Sequence, residues 1–205
     1  MKLLVLGASG KVGQKVVPLL LAEGHSVRAF VHSHNPFEPS ARLEVIKGDV
    51  HNKKDIEQAV KGMDAVIGVL GSWGTKTKDI QVSAMKNLIP AMQATGIKRI
   101  VSLTGSGAFD PADKNTLSNV VGRMVPLKVF KDGSQHISLL RESDLDWTVL
   151  RSPVMKEGDG TKAYEISEKW PGGFSTIDRN SVAHAMVELV SSQDWFNKSP
   201  YIKNT

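Results

Sequence analysis

The sequence predicts an α/β fold in which a parallel sheet is covered by helices on both of its faces. Short runs rich in Val, Ile and Leu, with apolar residues at both odd and even positions, alternate along the chain with segments whose apolar residues recur every three or four positions. Runs of the first kind are typical of strands buried on both faces of a sheet, and segments of the second kind are typical of helices. Their repeated alternation indicates a parallel sheet with helices packed on both sides.

Six apolar runs, each four to six residues long, are the predicted strands. They are Leu3–Leu6, Val27–Val31, Leu43–Ile46, Ala65–Leu70, Ile100–Leu103 and Trp147–Leu150. Residues 152 to 177 are rich in Gly and Pro and predict loop, with one short strand around Ala163–Ile166. No linker or repeat divides the sequence, so we expect a single domain over 1–205, with a cofactor-binding core in 1–151 and a small substrate-side part in 152–205.

Five stripes of apolar residues at helical spacing are the predicted helices. They cover Val12–Leu21, Ile56–Val60, Val82–Met92, Ile137–Leu145 and Val182–Val190. Gly24, Gly62 and Gly96 follow the first three stripes, at the position where a helix that ends in the left-handed conformation favours glycine. Asp178 precedes the last stripe and is a predicted N-cap.

The composition excludes several classes of protein. The 205 residues include 26 Lys and Arg against 21 Asp and Glu and no cysteine, so a disulfide scaffold, a thiolate nucleophile and a sulfur-based metal site are excluded. The basic residues are dispersed and lack interleaved aromatic residues, which argues against a nucleic-acid surface. The apolar run after Met1 is shorter than a signal peptide requires, and no run approaches the length of a membrane span. We therefore expect a cytoplasmic protein that binds no nucleic acid, membrane or metal.

A glycine-rich loop connects the first predicted strand to the first predicted helix. It consists of Gly7, Ala8, Ser9, Gly10, Lys11, Val12 and Gly13. Glycines at this spacing allow a tight turn and a close backbone approach, and the amide groups at the start of the helix then hold a pyrophosphate. Because the loop lies between a buried strand and an amphipathic helix, the sequence predicts a Rossmann-type doubly wound parallel sheet that binds a dinucleotide.

The end of the second predicted strand favours NADP over NAD. An acidic residue at this position usually binds the ribose 2′-hydroxyl of NAD, but no Asp or Glu occurs within 27–36. His32 and Ser33 stand there instead and can donate hydrogen bonds to a 2′-phosphate, to which Lys11 and Arg42 add positive charge. The sequence therefore predicts NADP as the cofactor and leaves NAD open.

Four stretches of the chain are distinctive when taken together. They are Leu3–Gly13, Gly48–Val50, Gly62–Ile67 and Leu140–Pro153, and Ser175–Ala183 is a looser fifth. With them the sequence resembles the atypical or extended short-chain dehydrogenases/reductases, near the NAD(P)-binding proteins that include NmrA-like regulators and biliverdin-IXβ (flavin) reductases. The resemblance covers nearly the whole chain. It is specific for the fold and much less specific for the substrate.

The resemblance implies cofactor contacts at the carboxyl ends of the predicted strands, where open α/β sheets bind their ligands. The residues after the third strand are expected beside the adenine, those after the fourth beside the cofactor ribose, and those after the fifth and sixth beside the nicotinamide. In chain order these residues are Asp49, Val50, Leu70, Gly71, Ser72, Thr104, Gly105, Ser106, Pro153 and Val154.

The sequence lacks the Tyr-x-x-x-Lys pair of the familiar short-chain reductases, in which the tyrosine protonates a carbonyl and the lysine lowers the pKa of that tyrosine. Tyr164 is followed four residues later by Glu168, and Tyr201 by Thr205. Lys131 is the counterpart of a lysine often found in the resembling family on the helix before the sixth strand. The other candidate catalytic residues, as proton donors, are Thr104, Ser106 and His136.

Hydride acceptors that take a proton from water need no positioned acid, and flavins, quinones and other planar conjugated rings are of this kind. The sequence therefore predicts an NADPH-dependent reductase of a small planar acceptor, in a monomer or a homodimer. Two alternatives stay open: an NADP-binding redox sensor or regulatory protein without turnover, and a sugar-nucleotide epimerase or dehydratase. Trp73 and Trp170, in glycine-rich loops, are candidates for an aromatic wall against a flat substrate.

Overall fold

The computed structural model describes residues 1–71, 79–113, 128–158, 163–172 and 175–205 of the chain. Ten strands and five helices lie within these ranges. In chain order they are β1 (Lys2–Leu6), α1 (Gly13–Ala22), β2 (Ser26–Val31), β3 (Leu43–Lys47), α2 (Lys53–Val60), β4 (Ala65–Gly68), α3 (Ile80–Thr95), β5 (Arg99–Gly105), α4 (Lys128–Arg141), β6 (Asp146–Ser152), β7 (Val154–Lys156), β8 (Tyr164–Ser167), β9 (Thr176–Asp178), α5 (Arg179–Ser191) and β10 (Tyr201–Asn204).

Eight of these strands form one sheet in the order β3-β2-β1-β4-β5-β6-β10-β8, and β7 pairs with β9 in a separate sheet. Neighbours in the large sheet are parallel, except that β8 runs antiparallel to β10. The strand order reverses at β1, because β2 and β3 lie on one side of it and β4 on the other. The reversal opens a crevice at the carboxyl ends of β1 and β4, which is the usual ligand site of an open α/β sheet.

Both faces of the large sheet are covered, which explains why the predicted strands carry apolar residues at both odd and even positions. Leu3 and Val5 of β1 belong to the core that includes α1 and α5, whereas Leu4 and Leu6 belong to the core that includes α2, α3 and α4. All four side chains are fully buried. This burial on two sides confirms the Rossmann-type doubly wound fold that the sequence predicts.

The predicted strands and helices are all present, with differences at their ends. The three glycines expected to end helices have positive φ angles between 73° and 87°. Helix α4 ends at Arg141 rather than at Leu145, and Ser143 Oγ there donates to the Leu140 oxygen at 2.6 Å, a local bond that favours a turn over another helical turn. Among the residues that the structure describes, none of the helices combines the length and apolar character needed to cross a bilayer.

The sequence does not predict β7, β9 or β10. Each of these strands has only three or four residues, so none carries a periodic signal. In β10 only Tyr201 and Ile202 are buried, and they pair with Arg151 of β6 and Ile166 of β8. The position of β10 in the large sheet therefore depends on partners about 50 and about 35 residues earlier in the chain.

Candidate dinucleotide-binding site

The glycine-rich loop between β1 and α1 is folded too tightly for side chains at two positions. Gly7 has a φ of 80°, and a Cβ atom there would lie 3.0 Å from the Val69 oxygen. A Cβ atom on Gly13 would lie 2.4 Å from the Gly7 oxygen and 2.5 Å from the Ala8 oxygen. The Gly10 amide donates to the Gly7 oxygen at 3.0 Å and closes the turn. Glycine is therefore required for the turn and for the close approach of α1 to the loop.

The N-terminus of α1 can receive an anion. Val12 occupies the N-cap position without a side-chain hydrogen bond, and the first turn of α1 contains no acidic residue. The backbone amides and the positive end of the helix dipole at such a terminus attract negative charge. Lys11 is exposed in the same loop and adds a positive charge. The loop therefore fits a pyrophosphate in its backbone geometry and in its charge.

The carboxyl ends of β2 and β3 carry basic and hydroxyl groups. His32 and Ser33 follow β2 and are exposed. Lys47, the last residue of β3, is exposed and pairs with Val31, the last residue of β2. The sequence-based prediction of the cofactor site did not include Lys47. Its position directly after a predicted strand could have identified it as a candidate. This corner of the sheet can hold a 2′-phosphate, since no acidic residue occurs within 27–36.

Arg42 lies at the opposite edge of the sheet, so the prediction that it adds charge to the cofactor site is wrong. Its carbonyl oxygen accepts a hydrogen bond from the Val27 amide at 2.8 Å, near the amino end of β2. Its Nη2 donates to the Leu21 oxygen at 3.0 Å, in the last turn of α1. Arg42 thus satisfies a carbonyl at the end of a helix.

Asp49 and Val50 follow β3 and differ in exposure. The Asp49 carboxylate accepts a hydrogen bond from the His51 amide at 2.9 Å and lies 2.8 Å from His51 Nδ1, and these two contacts lower the pKa of Asp49. Its side chain is 47% exposed, so an ionised acceptor faces solvent at the edge where the resemblance expects the adenine. Val50 is buried in the core and can offer a ligand only apolar contact.

The structure describes the chain after β4 as far as Gly71. Leu70 is half-buried and Gly71 is exposed, at the edge where the resemblance expects the cofactor ribose. The predicted contact residue Ser72 and the aromatic candidate Trp73 lie outside the described residues. The other aromatic candidate, Trp170, follows β8 and is half-buried.

The ends of β5 and β6 are tied together at the edge where the resemblance expects the nicotinamide. Gly105 ends β5, and the amide of the following residue, Ser106, donates to the Ser152 oxygen at 2.7 Å. Both Gly105 and Ser106 are half-buried. Pro153 is buried, whereas Val154 is 60% exposed. An exposed valine at a ligand-binding edge can make apolar contact with a flat ring.

Of the remaining candidate catalytic residues, only Lys131 is exposed. Thr104 is buried, and its hydroxyl donates to Gln81 Oε1 at 3.0 Å. Lys131 is exposed on α4. His136 is 1% exposed, its Nε2 lies 2.9 Å from Ser102 Oγ, and burial lowers its pKa to about 4. This placement corrects the expectation for His136, because a neutral, enclosed imidazole is a core residue rather than a proton donor to a substrate.

A doubly wound parallel sheet whose first turn is glycine-rich and opens onto an uncapped helix defines a dinucleotide-binding protein. The chain belongs to the NAD(P)H-binding family, whose model matches residues 7–193. The uncharacterized sugar epimerase YhfK of Bacillus subtilis is 27% identical over 210 aligned residues, covering 97% of this chain and 92% of that protein. The 3-beta-hydroxysteroid dehydrogenase of Mycolicibacterium neoaurum is 33% identical over 112 residues, and this match spans 49% of the chain and 31% of that enzyme.

Solved structures share the fold over nearly the whole chain. A short-chain dehydrogenase/reductase of Veillonella parvula in complex with NADP has a TM-score of 0.77 at 21% identity, covering 99% of this chain and 94% of that one. ChuY of Escherichia coli O157:H7, an anaerobillin reductase, has a TM-score of 0.76 at 19% identity, covering 100% and 97%. These likenesses show the same fold, and the family match shows an NAD(P)H-binding protein, as the resemblance implies.

Proposed function

We propose that the protein is an NADPH-dependent reductase of a flavin, a quinone or another small planar acceptor. The observation that carries this proposal is the position of its two tyrosines. Tyr164 Oη donates to Glu188 Oε2 at 2.8 Å, and burial together with this carboxylate raises the pKa of Tyr164. Tyr201 is buried in β10, with the Arg151 guanidinium 3.8 Å from its ring centre. Neither tyrosine supplies the acid that reduction of an ordinary ketone requires.

A planar conjugated acceptor needs no such acid, because water can protonate it after hydride transfer. The chain then has to bind and orient the acceptor rather than move a proton. Val154 offers apolar contact at the nicotinamide edge, and Ser106, which is half-buried there, offers a hydroxyl. The bound nicotinamide supplies the hydride.

The residues around the crevice fit NADPH. Gly7 and Gly13 let the backbone of the loop 7–13 close tightly, and its amides are suited to the pyrophosphate. We expect Asp49 to accept a hydrogen bond from the adenine amino group and His32, Ser33 and Lys47 to hold the 2′-phosphate. The NADP bound by the Veillonella parvula relative supports this choice of cofactor.

Fluorescence titration should show tighter binding of NADPH than of NADH, and equal or tighter NADH binding would refute the preference.

Turnover is tested by following NADPH oxidation by its absorbance with FMN and menadione as acceptors. We expect the wild-type protein to oxidise NADPH with at least one of them and Gly13→Ala, whose Cβ atom would enter the loop backbone, to be inactive. The likeness to ChuY, an anaerobillin reductase, supports a reductase function. Tight NADP binding without turnover of any planar acceptor would contradict the reductase.

The second candidate is an NADP-binding redox sensor. The burial of Thr104 and His136 favours it, because two of the proton donors expected from the sequence are enclosed. Tight NADP binding with no oxidation of NADPH is the result that this candidate predicts. The name of YhfK points instead to an epimerase, but that reaction needs proton or hydride exchange at a sugar carbon and thus the kind of positioned acid–base group that the two tyrosines do not supply.

A further inference from the structure

The side chain of Gln81 joins the carboxyl ends of β4 and β5 beyond the point where their ladder stops. The ladder between the two strands ends at the pair Gly68 and Ser102. Gln81 Nε2 donates to the Leu70 oxygen at 2.8 Å and to the Leu103 oxygen at 2.9 Å. One primary amide therefore bridges two strand ends that no longer pair through their backbones.

Gln81 is held in a single orientation by its partners. It is 6% exposed, and its Oε1 accepts a hydrogen bond from the Thr104 hydroxyl at 3.0 Å. Its backbone amide donates to the Asp132 carboxylate of α4 at 3.2 Å, and the Val82 amide donates to the same carboxylate at 3.0 Å. Both donors and the acceptor of the side-chain amide are therefore used, and one nitrogen holds the Leu70 and Leu103 oxygens.

This bridge lies on the nicotinamide side of the proposed dinucleotide site. Leu70 leads directly to Gly71, and Leu103 leads to Gly105 and Ser106, which are the positions expected beside the cofactor ribose and the nicotinamide. The residues expected beside the adenosine half follow β2 and β3, on the other side of β1 in the sheet. A substitution of Gln81 should therefore weaken the binding of the nicotinamide half of the dinucleotide and leave the binding of the adenosine half unchanged.

We infer that Gln81 is a positioning residue. It sets the distance between the ends of β4 and β5 and thereby shapes the surface that binds the nicotinamide half of NADPH. The inference rests on the proposed dinucleotide site and is independent of the acceptor. Gln81 takes no part in the reaction itself. It affects binding, because it sets the position of the backbone on which the nicotinamide and its ribose lie.

The test uses Gln81→Glu, which keeps the shape of the side chain and replaces its NH2 group, so that at most one of the two donated hydrogen bonds can remain. Gln58→Glu, at an exposed position of α2, is the matched control. Calorimetry measures the Kd of NADPH and of 2′,5′-ADP, which carries only the adenosine half. In Gln81→Glu we expect the Kd of NADPH to rise at least about fivefold, because at least one of the two carbonyls loses its donor, and that of 2′,5′-ADP to stay within about twofold. The control should match the wild-type protein for both ligands.

An equal rise in the Kd of both ligands, or an unchanged Kd for NADPH, would overturn the inference. A residue with a merely structural role would not weaken the binding of NADPH more than that of 2′,5′-ADP. If Gln81→Glu does not fold, nuclear magnetic resonance of the wild-type protein gives the same test. The side-chain NH2 signals of Gln81 should shift with NADP and stay in place with 2′,5′-ADP, and equal or absent shifts with both ligands would overturn the inference. Failure of the wild-type protein to bind NADPH at all would instead refute the proposed function, and the inference with it.

Discussion

Backbone oxygens, rather than side chains, constrain single residues of the glycine-rich loop. A Cβ atom on Gly13 would meet main-chain oxygens of Gly7 and Ala8, and neither can move without opening the turn. At Gly71, by contrast, an added Cβ atom would have no heavy atom within 4 Å. The glycine spacing is informative in the sequence because particular positions of the loop have a steric reason to lack a side chain.

Gly13→Ala should weaken NADPH binding by roughly a hundredfold or more, a loss of about 3 kcal/mol, because α1 must move away from the loop. Fluorescence titration measures the change. Gly96→Ala is the control: Gly96 has a φ of 75° and open space around it, so alanine there should cost about 1 kcal/mol of stability without changing NADPH binding. NADPH binding by Gly13→Ala at wild-type strength would contradict the assigned loop.

The buried side chain of His136 makes the stability of the folded protein depend on pH. Its Nδ1 is buried without a hydrogen-bond partner in the described part of the chain, and burial lowers its pKa from the ordinary 6.5 to about 4. The unfolded chain therefore binds a proton at a higher pH than the folded protein does. The stability that the neutral form contributes is complete above pH 6.5 and is lost as the pH falls toward 4.

We expect the free energy of unfolding to fall by about 3 kcal/mol over this pH range because of His136, which urea titrations at several pH values can measure. His136→Gln should be less stable than the wild-type protein at neutral pH and should lack this part of the acid dependence. His184→Gln, at an exposed position of α5, should keep the dependence. An acid dependence that His136→Gln retains in full would contradict the assignment.

At the scale of elements, helix α3 takes its N-terminal cap from another helix. Asp79 occupies its N-cap position but makes no side-chain cap bond. The cap comes from Asp132 of α4, whose carboxylate accepts hydrogen bonds from the Gln81 and Val82 amides. Burial raises the pKa of Asp132, so the fold tolerates the cost of an enclosed carboxyl at this junction. The contact joins α3 and α4 beside the end of β5.

Asp132→Ala should therefore lower the free energy of unfolding by about 1–2 kcal/mol, the usual cost of a lost N-cap. Asp79→Ala should lower it by less than about 0.5 kcal/mol, because its carboxylate does not cap the helix. Urea denaturation of both variants measures the difference. The reverse order of the two losses would show that α3 is capped by its own preceding residue.

At the scale of the whole molecule, a buried ionic contact attaches the C-terminal strand to the rest of the sheet. Arg151 of β6 is 2% exposed and binds both oxygens of Asp113, at 2.6 and 2.7 Å. Its Nε donates to the Ser199 oxygen at 2.7 Å, and its guanidinium lies over the ring of Tyr201. The segment after β5, the end of β6 and the start of β10 are thereby joined at one residue.

Arg151→Met should cost about 3–5 kcal/mol of stability, since it leaves the largely buried Asp113 carboxylate without its main cation. Lys98→Met is the control, because the pair of Lys98 and Asp144 is exposed and should contribute less than about 1 kcal/mol. Urea denaturation compares the two variants. A loss of similar size in both would mean that Arg151 contributes no more than a surface charge.

The amino-acid sequence by itself determined the alternation of buried strands and helices, the glycine-rich loop and hence the family, because each is encoded by residues within one short segment. The misplacement of Arg42 was avoidable from the sequence, since a residue just before a parallel strand lies at the amino edge of the sheet. Only the tertiary structure decided the place of β10, the burial of His136 and the bridge made by Gln81. Those depend on contacts between residues some 20 to 50 positions apart, which leave no periodic pattern in any one segment.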